Sequence, residues 1–198
     1  MVTGVIVGSD LNAAEFEELY RETAPQLFGY LRRRKAVEPG DIVAEVYAIA
    51  WRRRSDLPAP RLRRAWLYGT ARRLLLAEGR KREQERTALM QASEQSASSS
   101  WSPSDRYISG TNHPPERELE QTVAAALERL EPDDRELIRL VEWECLSPAE
   151  IAVALGIRPG TARVRLHRAR RTLAKDPSMR AALERRRTPE VEARNGSS

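Results

Sequence analysis

Apolar residues recur at three- and four-residue intervals along most of the chain, and strict alternation is almost absent. That pattern predicts helices throughout and no sheet. From about Ala13 to Arg34, Phe16, Leu19, Tyr20, Leu27, Tyr30 and Leu31 form one stripe. Asn12 and Glu15 stand where a capping box would start this helix, and Pro25 should kink or break it. A second helix is expected from about Pro39 to Arg54, with Ile42, Val43, Val46, Tyr47, Ala50 and Trp51 facing the core. A third runs from about Leu62 to Arg82, with Trp66, Leu67, Ala71, Leu74 and Leu75 inward.

The second half predicts four more helices. Pro115 to Leu130 is amphipathic through Leu119, Val123, Ala126, Leu127 and Leu130. Pro132 followed by Asp133 and Asp134 makes a favourable start for a helix that reaches about Cys145. Ser147, Pro148 and Glu150 predict another start, and Gly156 a stop. The last long helix spans about Pro159 to Lys175, and a short one is expected around Met179 to Arg187. Cys145 is expected to be a packed thiol.

Between the two helical halves the pattern lapses. Gln84 to Pro115 holds eight serines, three prolines and no apolar periodicity. Such a segment buries too little to offset the entropy of ordering it. The expected organisation is all-α: two small helical domains, residues 13–83 and 116–175, joined by a flexible linker at 84–115. Residues 176–198 form a charged tail. Trp101 and Tyr107 are unusual in a spacer and could dock on something.

Composition narrows the function. Of 198 residues, 34 are Lys or Arg and 29 are Asp or Glu, a net charge of +5. That balance permits a polyanionic partner. One cysteine allows no internal disulfide and no zinc cluster. The longest apolar run, Val46 to Trp51, is far short of the ~20 residues that span a bilayer. The first eight residues lack a basic start and an adequate apolar stretch, so no signal peptide is expected. No Gly-rich phosphate loop, metal-ligand spacing or nucleophile triad points to an enzyme.

Leu146 to Lys175 carries the chemistry. It reads as helix, the turn Gly156-Ile157-Arg158, then helix. In a helix-turn-helix the second helix enters the DNA major groove. Arg158 to Lys175 holds seven basic residues, His167 and no acid, while Val164, Leu166 and Leu173 are expected to pack. Thr161, Arg163 and Arg165 lie nearer the helix start and are expected at base edges, leaving Arg168 for the phosphate backbone. Arg158 could reach a phosphate. Arg61 to Arg86, with nine basic residues against three acids and Trp66 and Tyr68 among them, suits single-stranded DNA. Glu128 to Glu150 holds eight acids and three bases, either a solvated face or a protein-docking one.

The same residues carry a resemblance. Ser147-Pro148-Ala149-Glu150-Ile151-Ala152, then Leu155-Gly156-Ile157, then Gly160-Thr161-Ala162-Arg163-Val164-Arg165-Leu166-His167-Arg168-Ala169-Arg170 resemble domain four of bacterial RNA polymerase sigma factors of the extracytoplasmic-function (ECF) group. Phe16 to Tyr20, Asp41 to Tyr47 with Ala50 to Arg53, and Ala65 to Tyr68 with Ala71 to Leu74 resemble the helices of ECF domain two, in order. The family often has Asn at the position of Arg73 and Asp near Ala77, and a Ser or Asp cap where Arg158 stands.

The resemblance implies a transcription initiation factor, not an enzyme and without a cofactor. It would act in the cytoplasm, bind core RNA polymerase, recognise two promoter elements in DNA and promote strand opening. It implies that Asp41 and Glu45, four apart on one helix face, bind polymerase. The loop Ser55 to Pro60, Trp66, Arg72 and Arg73 would meet the minus-ten element. Arg158, Thr161, Arg163, Arg165 and Arg168 would meet the minus-thirty-five element. Such factors are often held inactive by an anti-sigma protein. The rival readings are a regulator that uses the helix-turn-helix without polymerase, and an enzyme whose N-terminal half acts on a small molecule.

Overall fold

The structure, a computed structural model, describes residues 11–94 and 115–181. Helix α1 (Ala13–Arg33) begins with a reciprocal pair. Glu15 N–H donates to Asn12 Oδ1 at 3.0 Å, and Asn12 N–H donates to Glu15 Oε2 at 3.2 Å. Two of the donors that a helix start leaves open are thereby satisfied. Pro25 lies inside α1, yet the helix runs unbroken to Arg33, so the expected break is absent. Magnitudes explain this. A mid-helix proline costs about 3 kcal/mol. Full burial contributes ~1.5–3 kcal/mol for a large apolar side chain, and Leu27 and Leu31 beyond the proline are at most 1% exposed.

The chain leaves α1 through a left-handed residue. Lys35 has φ 57°, and the N–H groups of Lys35 and Ala36 donate to the carbonyls of Arg32 and Leu31 at 3.0 and 3.1 Å. That is the Schellman closure, a position glycine usually fills. Helix α2 (Pro39–Arg52) follows, with proline in its first turn. A single 3-10 turn, Arg54–Asp56, leads to the long helix α3 (Pro60–Glu94). Helices α4 (Pro115–Glu128), α5 (Pro132–Glu142), α6 (Pro148–Leu155) and α7 (Pro159–Lys175) complete the described elements.

Helix α3 overruns its expected end at Arg82, so residues 84–94 are helical rather than linker. Local ion pairs support the helix as far as Arg86. Arg82 pairs with Glu78, Arg86 with Glu83 at 2.7 Å and Lys81 with Glu85 at 3.9 Å. Surface pairs of this kind add little each, and beyond them Leu89 and Met90 are exposed. The remainder of the expected linker, with Trp101 and Tyr107, lies outside the described residues, as does the chain beyond Ala181. A helical turn at 177–181 follows α7.

Contacts divide the chain into two compact units. One holds α1, α2, the 3-10 turn, α3 and α6; the other holds α4, α5 and α7. In the first, Tyr30 and Tyr68 meet edge to face at 5.0 Å, both fully buried. Val46, Ala50, Ala65 and Ala71 are small and fully buried, which lets the three helices approach closely. Trp51 departs from expectation. It is 40% exposed, edge-on to Phe16 at 5.0 Å, with the Arg54 guanidinium 5.0 Å from its ring centroid. Helical spacing places it beside Tyr47 but says nothing of where the core ends, and it stands just beyond that edge.

In the second unit Arg135 closes the end of α4. Its Nε donates to Leu127 O at 2.9 Å, and its Nη2 donates to Glu128 O and Leu130 O at 2.7 and 3.1 Å. Carbonyls orphaned by the helix end are satisfied by one planar cation. The Asp176 carboxylate pairs with Arg129 and accepts from Ser178 N–H and Met179 N–H at 2.9 and 3.1 Å. The Met179 bond first, then the Arg129 one, draws its pKa below the usual carboxylate range. Cys145 is exposed, contrary to expectation, with φ 52°. The turn returns Leu146 N–H to Leu140 O at 3.0 Å and buries Leu146 in its place.

Thr23 Oγ1 and Tyr47 Oη are 2.6 Å apart in the buried interface of α1 and α2. Burial pushes the Tyr47 phenol up to about 12, against a partial opposing effect of Thr23. The folded chain therefore holds this proton more tightly than the unfolded chain, whose tyrosine titrates near the ordinary 10. Its contribution is full below pH 10 and is lost as pH rises toward 12. Tyr47→Phe should cost about 1 kcal/mol at neutral pH and flatten that alkaline decline, as denaturant melts at pH 8, 10 and 11.5 would show.

Candidate nucleic-acid interface

Helix α7 has two faces set by its sequence. Ala162, Leu166 and Ala169 are buried, with Leu173 half-buried one turn on. These residues are spaced four, three and four apart, the apolar stripe of a packed helix. Opposite them Val164, His167, Arg168 and Arg171, related by steps of three and four residues, face outward, and all four are exposed. Thr161 and Arg163, also exposed, flank this outer stripe. Val164 was expected to pack, but it is 70% exposed. Small Ala162 and Ala169 make up the buried stripe instead, and a reading weighted by side-chain size passes over them.

The expected DNA-contacting residues in and just before α7 separate into two sets. Arg158, Thr161 and Arg163 are exposed. Arg165 sits at the edge of the buried face, where its Nε donates to Asp134 Oδ1 at 2.6 Å and its Nη1 lies 3.7 Å from Asp133 Oδ2. Arg168 straddles the two sets: Nη2 donates to Asp134 Oδ2 at 3.0 Å, while the side chain is 67% exposed. Asp134 itself is only 7% exposed. Farther along, Arg170 Nη2 donates to Glu142 Oε1 at 2.8 Å. Part of the acidic stretch of α5 thus faces α7: Asp134 is buried there, while Asp133 and Glu142 face α7 arginines and stay about half exposed.

The turn before α7 is fixed by its backbone. Gly156 has φ 67°, and Gly156 N–H and Ile157 N–H donate to Val153 O and Ala152 O at 3.3 and 2.9 Å. It is the same closure as at Lys35, here with the residue that fits it. Pro159 then occupies the first position of α7, where its missing N–H costs nothing.

In the first unit Trp66 and Arg72 are half-buried and Arg73 is exposed. Arg73 Nη2 donates to Thr70 Oγ1 at 2.9 Å. Desolvation, and then the positive charge of Arg53, lower its pKa. A guanidinium remains charged under any such shift; the smaller Arg53 contribution marks two like charges held near one another. Leu57 and Pro58 anchor the segment before α3 by burial. On the other side, Asp41 and Glu45 are both exposed. A neighbouring face of α2 joins α1 to line a groove with Tyr20, Ala24, Pro25, Phe28, Gly40 and Val43. Tyr20 and Phe28 are exposed there, although the periodicity assigned Tyr20 to the core.

Sequence reasoning missed Val164 as an outward residue and Asp134 as a buried one. A signal for the first was present: assigning the smallest residues to the packed side gives an unbroken stripe. For Asp134 there was none, because its first-turn position is equally favourable when exposed.

Residues 120–173 match the family model for sigma-70, region 4. The chain is 32% identical over 164 residues to the ECF RNA polymerase sigma factor SigL of Mycobacterium tuberculosis, covering 81% of this chain and 88% of that protein. In fold it is similar to the sigma factor RpoE, solved in complex with the anti-sigma factor NepR from Bartonella quintana. The TM-score is 0.54 and the identity 23%, over 81% of this chain and 95% of the other. It is also similar to CnrH in complex with the cytosolic domain of CnrY, with TM-score 0.52 and identity 22%, over 82% and 87% of the chains.

The paired closures make a prediction of opposite signs. A Cβ at Gly156 would meet no atom within 4 Å, so Gly156→Ala exposes the backbone cost alone. It should destabilise by about 1 kcal/mol, whereas Lys35→Gly should stabilise by a few tenths to about 1 kcal/mol. Equilibrium denaturation of the two variants beside wild type checks both directions.

Proposed function

The chain belongs to the ECF RNA polymerase sigma factors, and on that premise we propose which of its residues meet polymerase and which meet promoter DNA. As a sigma factor it regulates transcription by binding core RNA polymerase, recognising promoter DNA and promoting strand opening. No helix among the described residues is long and apolar enough to cross a membrane. Its place of work is the cytoplasm, where core polymerase and DNA are.

Residues 13–83 act as domain two, which binds polymerase and the minus-ten element. Residues 116–175 act as domain four, which binds the minus-thirty-five element. The observation that carries the second assignment is the outer face of α7, where exposed Val164 and Arg168 lie opposite the buried stripe and exposed Thr161 and Arg163 flank them. An arginine there can bond guanine O6 and N7, and a valine can meet a thymine methyl. Arg158 takes a phosphate at the entry to the helix. Trp66, Arg72 and Arg73 serve the opened strand, where an indole stacks on bases and cations follow the backbone. Arg53, close enough to lower the Arg73 pKa, adds a second cation to that surface.

Asp41 and Glu45 dock on polymerase through basic residues, and the groove between α1 and α2 beside them supplies apolar contact. An anti-sigma protein is a further expected partner, since the solved sigma factor RpoE that this chain resembles in fold was captured with one. No bound cofactor is required, because the work consists of binding and of holding separated strands.

Two measurements test these roles. Reversing both carboxylates, Asp41→Lys with Glu45→Lys, should abolish co-purification with core polymerase while circular dichroism stays helical. Undiminished binding would remove the assignment. Arg163→Ala should cost ~1–3 kcal/mol and relax base preference at one position of the upstream element. Equal weakening on every sequence would instead make Arg163 a phosphate contact.

A further inference from the structure

Helix α7 carries more cations than a reading surface can use. An arginine side chain is long and flexible, and any phosphate will satisfy it. One that is free beside the duplex therefore adds affinity for every sequence alike. Specificity requires that some arginines be withdrawn and others be held in one geometry.

The buried carboxylate of Asp134 meets that requirement. One of its oxygens receives Arg165 Nε at 2.6 Å and the other receives Arg168 Nη2 at 3.0 Å. Arg165 is 23% exposed and has a second acid, Asp133, at 3.7 Å. Its charge is matched, and it lies at the margin of the packed face. Arg168 gives Asp134 a single nitrogen and stays 67% exposed, in the outer stripe with Val164 and His167. A planar guanidinium held at one nitrogen loses much of its freedom while its remaining donors stay available.

We infer that Asp134 is a specificity-setting positioning residue: it withdraws Arg165 from DNA and fixes Arg168 in one orientation for it. The inference rests on the reading of α7 as the DNA-facing helix, and it changes that helix's division of labour. Arg165 becomes an anchor, and Arg168 a pre-oriented contact in place of a loose phosphate clamp. It also makes a prediction against intuition. Removing this acid should strengthen binding to arbitrary DNA, because two cations are released to find phosphates.

The test uses the full chain assembled with core RNA polymerase. The holoenzyme first selects from duplexes with a randomised promoter region. The best wild-type duplex and a scrambled one then serve as probes across a salt series. Asp134→Asn keeps the shape without the charge, and Asp134→Ala removes both. For either variant, the scrambled duplex should bind several-fold more tightly at low salt. The slope of log K against log salt should steepen by about one to two units, at ~0.9 per phosphate neutralised. The ratio of selected to scrambled affinity should fall about tenfold.

A residue that only stabilised the fold would weaken both probes together and leave the slope alone. Arg165→Gln supplies an independent arm that leaves Asp134 in place. That variant loses a cation, yet it should keep the wild-type base preference and salt slope. A folded Asp134→Asn with wild-type ratio and slope would overturn the inference. So would an Arg165→Gln that loses preference at one base pair, even if both Asp134 variants failed to fold. Should the wild-type holoenzyme select no upstream sequence, the reading of α7 fails instead, a result distinct from either of these.

Discussion

A helix that presents cations to a polyanion must still be packed against its own protein, and those two demands oppose each other. Between Pro159 and Lys175 the chain has six Arg or Lys residues and no acid. Positive charges so close repel, and the buried stripe is small: Ala162, Leu166 and Ala169. Carboxylates on α5 resolve the conflict, Asp134 taking Arg165 and Arg168 and Glu142 taking Arg170. Arg135 on the same helix closes α4. Helix α5 is thus the strut of the second unit: its acids hold α7 and its arginine holds the helix before it.

Much of this was legible in the residues. The box formed by Asn12 and Glu15, the prolines that open α2, α5, α6 and α7, and the glycine that closes α6 all lie where local chemistry puts them. These signals are short-range, and a single side chain or ring constraint suffices to produce each. The run from Gly160 to Arg170 carried the functional reading for a related reason. Major-groove recognition needs cations and a helix at one place, and few other purposes ask for both.

The expectations that failed share a physical cause. Trp51, Tyr20 and Val164 are apolar residues at helical spacing that face solvent. Periodicity gives the angle around a helix, but exposure depends on what lies opposite, which is a tertiary fact. Residues 84–94 failed in the other direction. Apolar spacing is weak there, and Leu89 and Met90 are exposed, so a search for buried stripes passes over it. Lys35 and Cys145 adopt left-handed backbone without glycine, because the surrounding closures determine the conformation and residue type does not. The pairing of Asp134 joins positions 31 and 34 residues apart in the chain, a separation at which neither composition nor spacing carries a signal.

Helix α3 has 35 residues, about 52 Å at 1.5 Å per residue, and its later turns bury little. Those turns form an arm that starts in the packed core of the first unit and continues beyond it. Where two weak contacts with one molecule are joined by a tether, the benefit depends on the local concentration each contact imposes on the other. A coil spreads that concentration over a sphere; an arm aims it. The eleven residues from Gln84 to Glu94 would reach ~36 Å as extended chain but span only ~16 Å as helix, in a fixed direction. Exposed ion pairs, Lys81 with Glu85 and Arg86 with Glu83, brace only the root of this stretch, so its helicity there is sensitive to ionic strength. Concentrated salt would therefore loosen the protein's grip on DNA charge and also weaken the pairs at the root of this helical extension.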